Sequence, residues 1–99
     1  MTATLELTQA STLKISGDLD ADSVNTLLTQ GIHAVNACDQ PELTIDLSGV
    51  GDSSSAGVAL LLALWKRTKQ RNKTLQLINI PSKMHAIMRV SNLDALLDI

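Results

Sequence analysis

The run from Asp46 to Trp65, DLSGVGDSSSAGVALLLALW, constrains this chain more than any other stretch. It opens on the tail of Leu43-Thr44-Ile45-Asp46-Leu47, whose alternation of apolar and polar residues predicts a half-buried strand over 42–47. Ser48 to Gly51 reads as a small polar loop in which two glycines loosen the backbone. Asp52 and three serines come next, followed by an unbroken apolar run from Ala56 to Trp65. Strand, loop, hydroxyl cluster and helix start thus follow one another closely. The hydroxyls fall where free backbone N–H groups and the positive end of a helix dipole favour an anion.

At 99 residues the chain is expected to form one domain, residues 1–99, near the small end of what holds a core unaided. Its apolar residues are Leu, Ile, Val, Ala and Met, with one Trp and neither Phe nor Tyr. That composition argues against recognising bases or sugars by stacking, which needs aromatic faces. A net charge of −2 gives no global field toward nucleic acid or anionic lipid. Cys38, the single cysteine, cannot pair within the chain and reads as an idle thiol. The longest clean apolar run, 56–65, is far short of the roughly 20 residues a bilayer core requires. The N-terminus has neither the basic nor the apolar region of a signal peptide, so the expected compartment is the cytoplasm.

Residues 3–8 and 11–16 alternate through Leu5, Leu7, Leu13 and Ile15 and predict an antiparallel hairpin. Gly17 and Asp18 close the second strand, and Asp20 or Asp22 caps a helix over about 22–37. Its expected inward stripe is Val24, Leu27, Leu28, Ile32 and Val35. The second helix is expected from Ser55 or Ala56 to Arg71, with Val58, Leu61, Leu62 and Trp65 on one stripe and Leu60 and Leu64 beside it. Its last turns, Lys66, Arg67, Lys69 and Arg71, suit the negative end of a helix dipole. So many apolar positions exceed one buried stripe. The extra side is either covered by neighbouring elements or offered to a partner. Thr74–Ile80 predicts a further strand, ended by Pro81, after which Ser82 caps a third helix over 82–91. Met84, Ile87 and Met88 form its stripe, and residues 92–99 suggest a terminal turn or short helix. The order ββαβαβα predicts an α/β domain with a four-stranded mixed sheet and helices mainly on one face.

Signals for catalysis are sparse. Gly49-Val-Gly51 is too short for a phosphate loop, and no Cys or His spacing suits zinc. His33 and His85 lie on separate helices without ligand companions, and no base is placed to activate a serine. Asp18, Asp20, Asp46 and Asp52 lie near expected loops, where Asp commonly closes turns and caps helices. The chain is expected not to be an enzyme and to need neither cofactor nor metal. Ser53, Ser54 and Ser55 have two readings. One of them caps the second helix, a contribution of about 1 kcal/mol. Alternatively one is a docking contact or a switch, since a phosphate there adds up to about −2 charges at a helix start.

Ile15-Ser-Gly-Asp-Leu-Asp20 resembles the second strand of STAS domains and the turn into their first helix. Ile45-Asp-Leu-Ser-Gly-Val50 resembles the strand leading to that family's Asp-Ser-Ser-Gly or Asp-Ser-Ala-Gly signature. Ser55-Ala-Gly-Val-Ala-Leu-Leu-Leu62 and the tail from Ile80 to Leu97 are similar to the MlaB subgroup. Its members are small STAS subunits of the Mla phospholipid-transport ABC complex. Anchored on Gly57 and the apolar run, the signature Asp falls on Ser54 and the first hydroxyl position on Ser55. The residue phosphorylated in sporulation-type antagonists then falls on Ala56, which has no hydroxyl. A second register reads Asp52-Ser53-Ser54 as the signature and needs extra residues before the helix.

The resemblance implies a non-catalytic cytoplasmic accessory subunit of a transporter maintaining outer-membrane lipid asymmetry. Its partner would be an ABC transporter ATPase subunit and, indirectly, the permease. That places it at the inner membrane through its partner, with no direct membrane insertion and no nucleic acid. The implied contacts are Ser53, Ser54, Ser55, Val58, Leu62 and Trp65. The alternative it implies is an anti-sigma-factor antagonist switched by phosphorylation at Ser55 or Ser54.

Overall fold

The computed structural model describes residues 3–9 and 11–93. Four strands form one sheet in the order β1 (Thr4–Gln9), β2 (Thr12–Leu19), β3 (Glu42–Ser53) and β4 (Thr74–Ile78). β1 and β2 are antiparallel, Leu5 facing Ile15 and Leu7 facing Leu13. β2 pairs parallel with β3, and β3 parallel with β4. Parallel neighbours need long crossovers. These are α1 (Ala21–Ala37) between β2 and β3 and α2 (Ser55–Gln70) between β3 and β4, and α3 (Ser82–Val90) follows β4. The expected mixed α/β sheet is therefore present, and the hairpin pairs as its alternation implies. The turn or helix expected over 92–99 falls mostly beyond Leu93, outside the described residues.

The period of two places Leu13, Ile15 and Leu19 of β2 on one buried face with Leu43, Ile45 and Leu47 of β3 and Leu75 and Leu77 of β4. Leu27 and Val35 of α1, Leu60, Leu61 and Leu64 of α2, and Met84 and Met88 of α3 complete the same cluster. Thr12, Lys14, Ser16, Thr44 and Asp46 alternate onto the other face and keep contact with water. Such one-sided burial is the usual state of a sheet covered by helices on a single face. No helix among the described residues is long and apolar enough to cross a membrane.

Three local expectations are corrected. Ser48 to Gly51 is not a loop, because β3 continues to Ser53. Its pairing with β2 slips twice, between Lys14 and Ser16 and between Gly17 and Leu19, each time with one extra residue on β3. A Cβ on Gly49 would lie 3.2 Å from the Cα of Ser16, so the glycine serves close strand approach. β4 stops at Ile78 instead of Ile80, because Asn79 turns into the left-handed region at φ 56°. Ser82 does not cap α3: Pro81 occupies the cap position and makes no side-chain cap bond.

The helix stripes also shift. α2 buries Gly57, Val58, Leu60, Leu61, Leu64 and Thr68, leaving Leu62 and Trp65 half-buried at the margin. α1 buries Leu27, Gly31 and Val35, with Val24, Leu28 and Ile32 half-buried. α2 touches both α1 and α3, so much of its surplus apolar surface is covered by neighbouring helices.

Gly57 sets the seat of α2. A Cβ there would collide with the Ser53 hydroxyl and lie 3.0 Å from Leu19 Cδ1. Gly57→Val is expected to lower stability by about 1–3 kcal/mol through overpacking. Urea unfolding should show a lower midpoint at unchanged slope, and an unchanged midpoint would mean that α2 shifts without cost.

Candidate functional site

The two parallel βα units end at the same level. Leu19, the last residue of β2, pairs with Ser53, the last of β3. Each strand then hands over to a helix through one capping residue. Asp20 caps α1: its carboxylate accepts from the N–H groups of Asp22 and Ser23, while the Ser23 hydroxyl accepts from the Asp20 N–H at 3.1 Å. Ser54 caps α2, its hydroxyl accepting from the Ala56 N–H at 3.1 Å. The Ser54 N–H donates to the Leu19 carbonyl at 3.0 Å, and the Asp52 N–H donates to Asp18 Oδ1 at 2.8 Å. These cross-links hold the two helix starts side by side.

The three serines have different surroundings. Ser53 is buried and donates its hydroxyl to the Ser54 carbonyl at 3.0 Å beneath α2. Ser54 is exposed, with its oxygen engaged in the cap. Ser55 is exposed in the first helical position, and its hydroxyl forms no hydrogen bond among the described residues. Of the contacts implied by resemblance, Ser53 and Val58 are buried and offer almost no surface to a partner, a correction fixed for Val58 by the phase of α2 and for Ser53 by its place at the end of β3 beneath that helix. Leu62 and Trp65 are half-buried, and Lys69 Nζ lies 5.7 Å from the Trp65 ring centre.

Beside Ser54 and Ser55 opens a groove of about 180 Å³, lined by Val24, Asn25 and Leu28 of α1 and Ala56, Ala59 and Leu60 of α2. It exists because α2 presents alanines here where a larger residue would close against α1. Its alanines are three apart on α2, and Val24 and Leu28 are four apart on α1. The spacing is legible in the sequence, but there Val24 and Leu28 belong to an inward stripe and Ala56 and Ala59 carry no signal of their own.

The aspartates act as structural acceptors. Asp46 accepts from Asn79 Nδ2 at 3.0 Å and from the Ser48 N–H at 2.9 Å, and these two bonds hold its carboxyl below the ordinary 3.8. The Ser23 N–H leads the bonds that lower Asp20. Lys83, bonding Asp52 at 2.9 Å, lowers that carboxyl too, although both side chains are mostly exposed and the pair adds little stability. Among the described residues no three His, Cys, Asp or Glu side chains are grouped to hold a metal.

The chain matches the family profile described as "Mlab, STAS domain" over residues 3–98. The chain belongs to the STAS domain family. Solved STAS structures superpose on it closely. An anti-sigma factor antagonist from Mycobacterium paratuberculosis gives a TM-score of 0.74 at 25% identity, covering 96% of this chain and 80% of that one. The phosphorylated form of the Bacillus cell fate determinant SpoIIAA gives 0.72 at 20% identity, covering 95% and 86%. A STAS domain protein from Planctomyces limnophilus gives 0.72 at 23% identity, covering 96% and 86%. The expected STAS fold is thus the observed one. STAS domains are in general binding modules, and the grooved end of this one is its candidate contact surface.

A lowered carboxyl pKa stabilises the fold above the ordinary carboxylate range. The unfolded chain binds the proton first as pH falls, so this stabilisation disappears as pH drops through the folded value. Stability is therefore expected to hold down to about pH 5 and to decline below it, as pH falls past the ordinary carboxyl value of 3.8 and through the lowered folded values. Asp46→Asn should flatten that decline. A variant as acid-sensitive as the parent would remove Asp46 from the titration.

Proposed function

We propose that this STAS domain is an accessory subunit that binds the ATPase of an ABC-type phospholipid transporter and supports its activity. The observation that carries the reading is the groove between α1 and α2, apolar, shallow and adjacent to the exposed Ser55. A recess of this size, lined by Val24, Leu28, Ala56 and Ala59, suits one or two apolar side chains of a protein partner more than a substrate. The match to the Mlab branch of the family supports the transporter ATPase as that partner and the inner-membrane face as the place of assembly. In this role the subunit does no chemistry of its own. Ser54 holds the start of α2, Ser55 faces the partner, and Leu62 and Trp65 border the contact.

A second reading rests on the likeness to anti-sigma factor antagonists and on the exposed hydroxyls of Ser54 and Ser55. Here a partner kinase would phosphorylate one of them at the N-terminus of α2, where the helix dipole accommodates the added charge. The Ser54 oxygen is already held by the Ala56 N–H, and Ala56 has no hydroxyl, which leaves Ser55 as the acceptor. Co-purification from the native cells separates the two readings. The transport reading expects an ABC ATPase with its permease and an unmodified mass. A bound serine kinase and an added phosphate would favour the switch.

Ser55→Arg should leave the unfolding midpoint nearly unchanged, because the side chain points into solvent. Its affinity for the purified ATPase should fall by roughly tenfold or more, as expected when a bulky charge enters a packed contact. Titration calorimetry reads this directly. Undiminished affinity would remove Ser55 from the interface.

A further inference from the structure

The solvent-facing side of α2 is ordered along its length. Ser55, Ala59, Leu62, Lys66 and Lys69 recur at helical spacing and form one stripe, about 21 Å long at 1.5 Å per residue. Its first half, Ser55, Ala59 and Leu62, is uncharged and reaches the groove at Ala59. Its second half is cationic. α2 contains no Asp or Glu, and Lys66, Arg67, Lys69, Arg71 and Lys73 place five of the chain's eight cations within eight residues. The charge at a helix C-terminus is only about half a unit, so the dipole does not neutralise them. Arg71 and Lys73 donate to the carbonyls of Asn36 and Gln40 at 3.4 and 2.8 Å, which ties down their heads without removing charge. Among the described residues the one salt bridge joins Lys83 to Asp52, on other elements. A chain of net charge −2 therefore carries a concentrated positive field at one end of one helix.

We propose that the segment docking on α2 is an acidic amphipathic helix of the protein partner. Its apolar side chains enter the groove beside Ala59, and its carboxylates, about one helical turn apart, meet Lys66 and Lys69. The inference rests on the docking role of α2 proposed above and adds the chemistry of the occupant. Charge complementarity selects carboxylates, and the uncharged first half beside the apolar groove selects a segment whose charge begins only after its anchors. An anionic bilayer fits less well. The exposed large apolar side chains among the described residues are Leu7 on β1 and Val90 on α3, so α2 has no residue poised to insert. Trp65 is half-buried, with Lys69 near its ring.

The test measures binding of the full chain to the purified transporter ATPase at several salt concentrations, with Lys66→Glu/Lys69→Glu and Ser55→Arg compared to the parent. The proposal expects parent affinity to weaken with salt. It expects the double variant to associate roughly tenfold or more slowly, with a flattened salt dependence. Both lysines are exposed, so melting of the variant should match the parent. If the double variant binds like the parent while Ser55→Arg does not, the acidic-helix proposal is overturned and the docking reading stands. If neither variant changes binding, the docking reading fails and takes the proposal with it. Pelleting with phosphatidylglycerol vesicles that depends on Lys66 and Lys69, without any effect of the double variant on ATPase binding, would overturn it in favour of a membrane contact.

Discussion

The parallel ladder between β2 and β3 is the constraint on which the rest depends. Because β3 runs on to Ser53, it reaches the level at which β2 ends at Leu19. The Ser54 N–H then bonds the Leu19 carbonyl at 3.0 Å, and the Asp52 N–H bonds Asp18 at 2.8 Å. Two helices therefore start from adjacent strands at one height, each behind a capping side chain, Asp20 or Ser54. A shorter β3 would begin α2 elsewhere and leave no groove between the helices. The two register slips, with Gly49 passing close over Ser16, let the strand reach that length.

The interior and the contact surface divide the apolar residues between them. Leu, Ile, Val and Met fill the buried core, with Trp65 packed against its margin, and the sheet's other face is left to Thr, Ser, Lys and Asp. Between α1 and the start of α2, Ala56 and Ala59 leave a recess that Val24, Leu28 and Leu60 also line. The recess, the free Ser55 hydroxyl and the cations of the last turns lie along one helix. Three features that packing does not use thus share α2, consistent with a module that acts through what it binds.

Much of the fold was legible because strand alternation and helix stripes follow directly from which side chains meet the core. Leu13 and Ile15, Leu43 and Ile45, and Leu75 and Leu77 are buried as their period implied. The phase of α2 was harder to read, since an apolar residue occupies nearly every position of its first half. Gly57 and Thr68, neither of them a hydrophobic marker, lie on its buried face, while Leu62 and Trp65 move to the margin. For the same reason Val58 reads as a contact when packing buries it, while Ser53 is buried because β3 runs on beneath α2. Ser48 to Gly51 looked like a loop because glycine signals turns, yet these glycines serve strand approach. The groove was missed because two alanines carry no signal until a facing helix shows what they leave open.

Hydrogen exchange of the chain alone and bound to the transporter ATPase tests the central claim most directly. The account predicts that binding slows exchange in the first turns of α1, around Val24 to Leu28, and along α2 from Ser55 toward Lys69. The amides of β1 and of the polar sheet face should exchange as they do in the free chain. Protection confined to β1 or α3, or none at all under saturating partner, would contradict it.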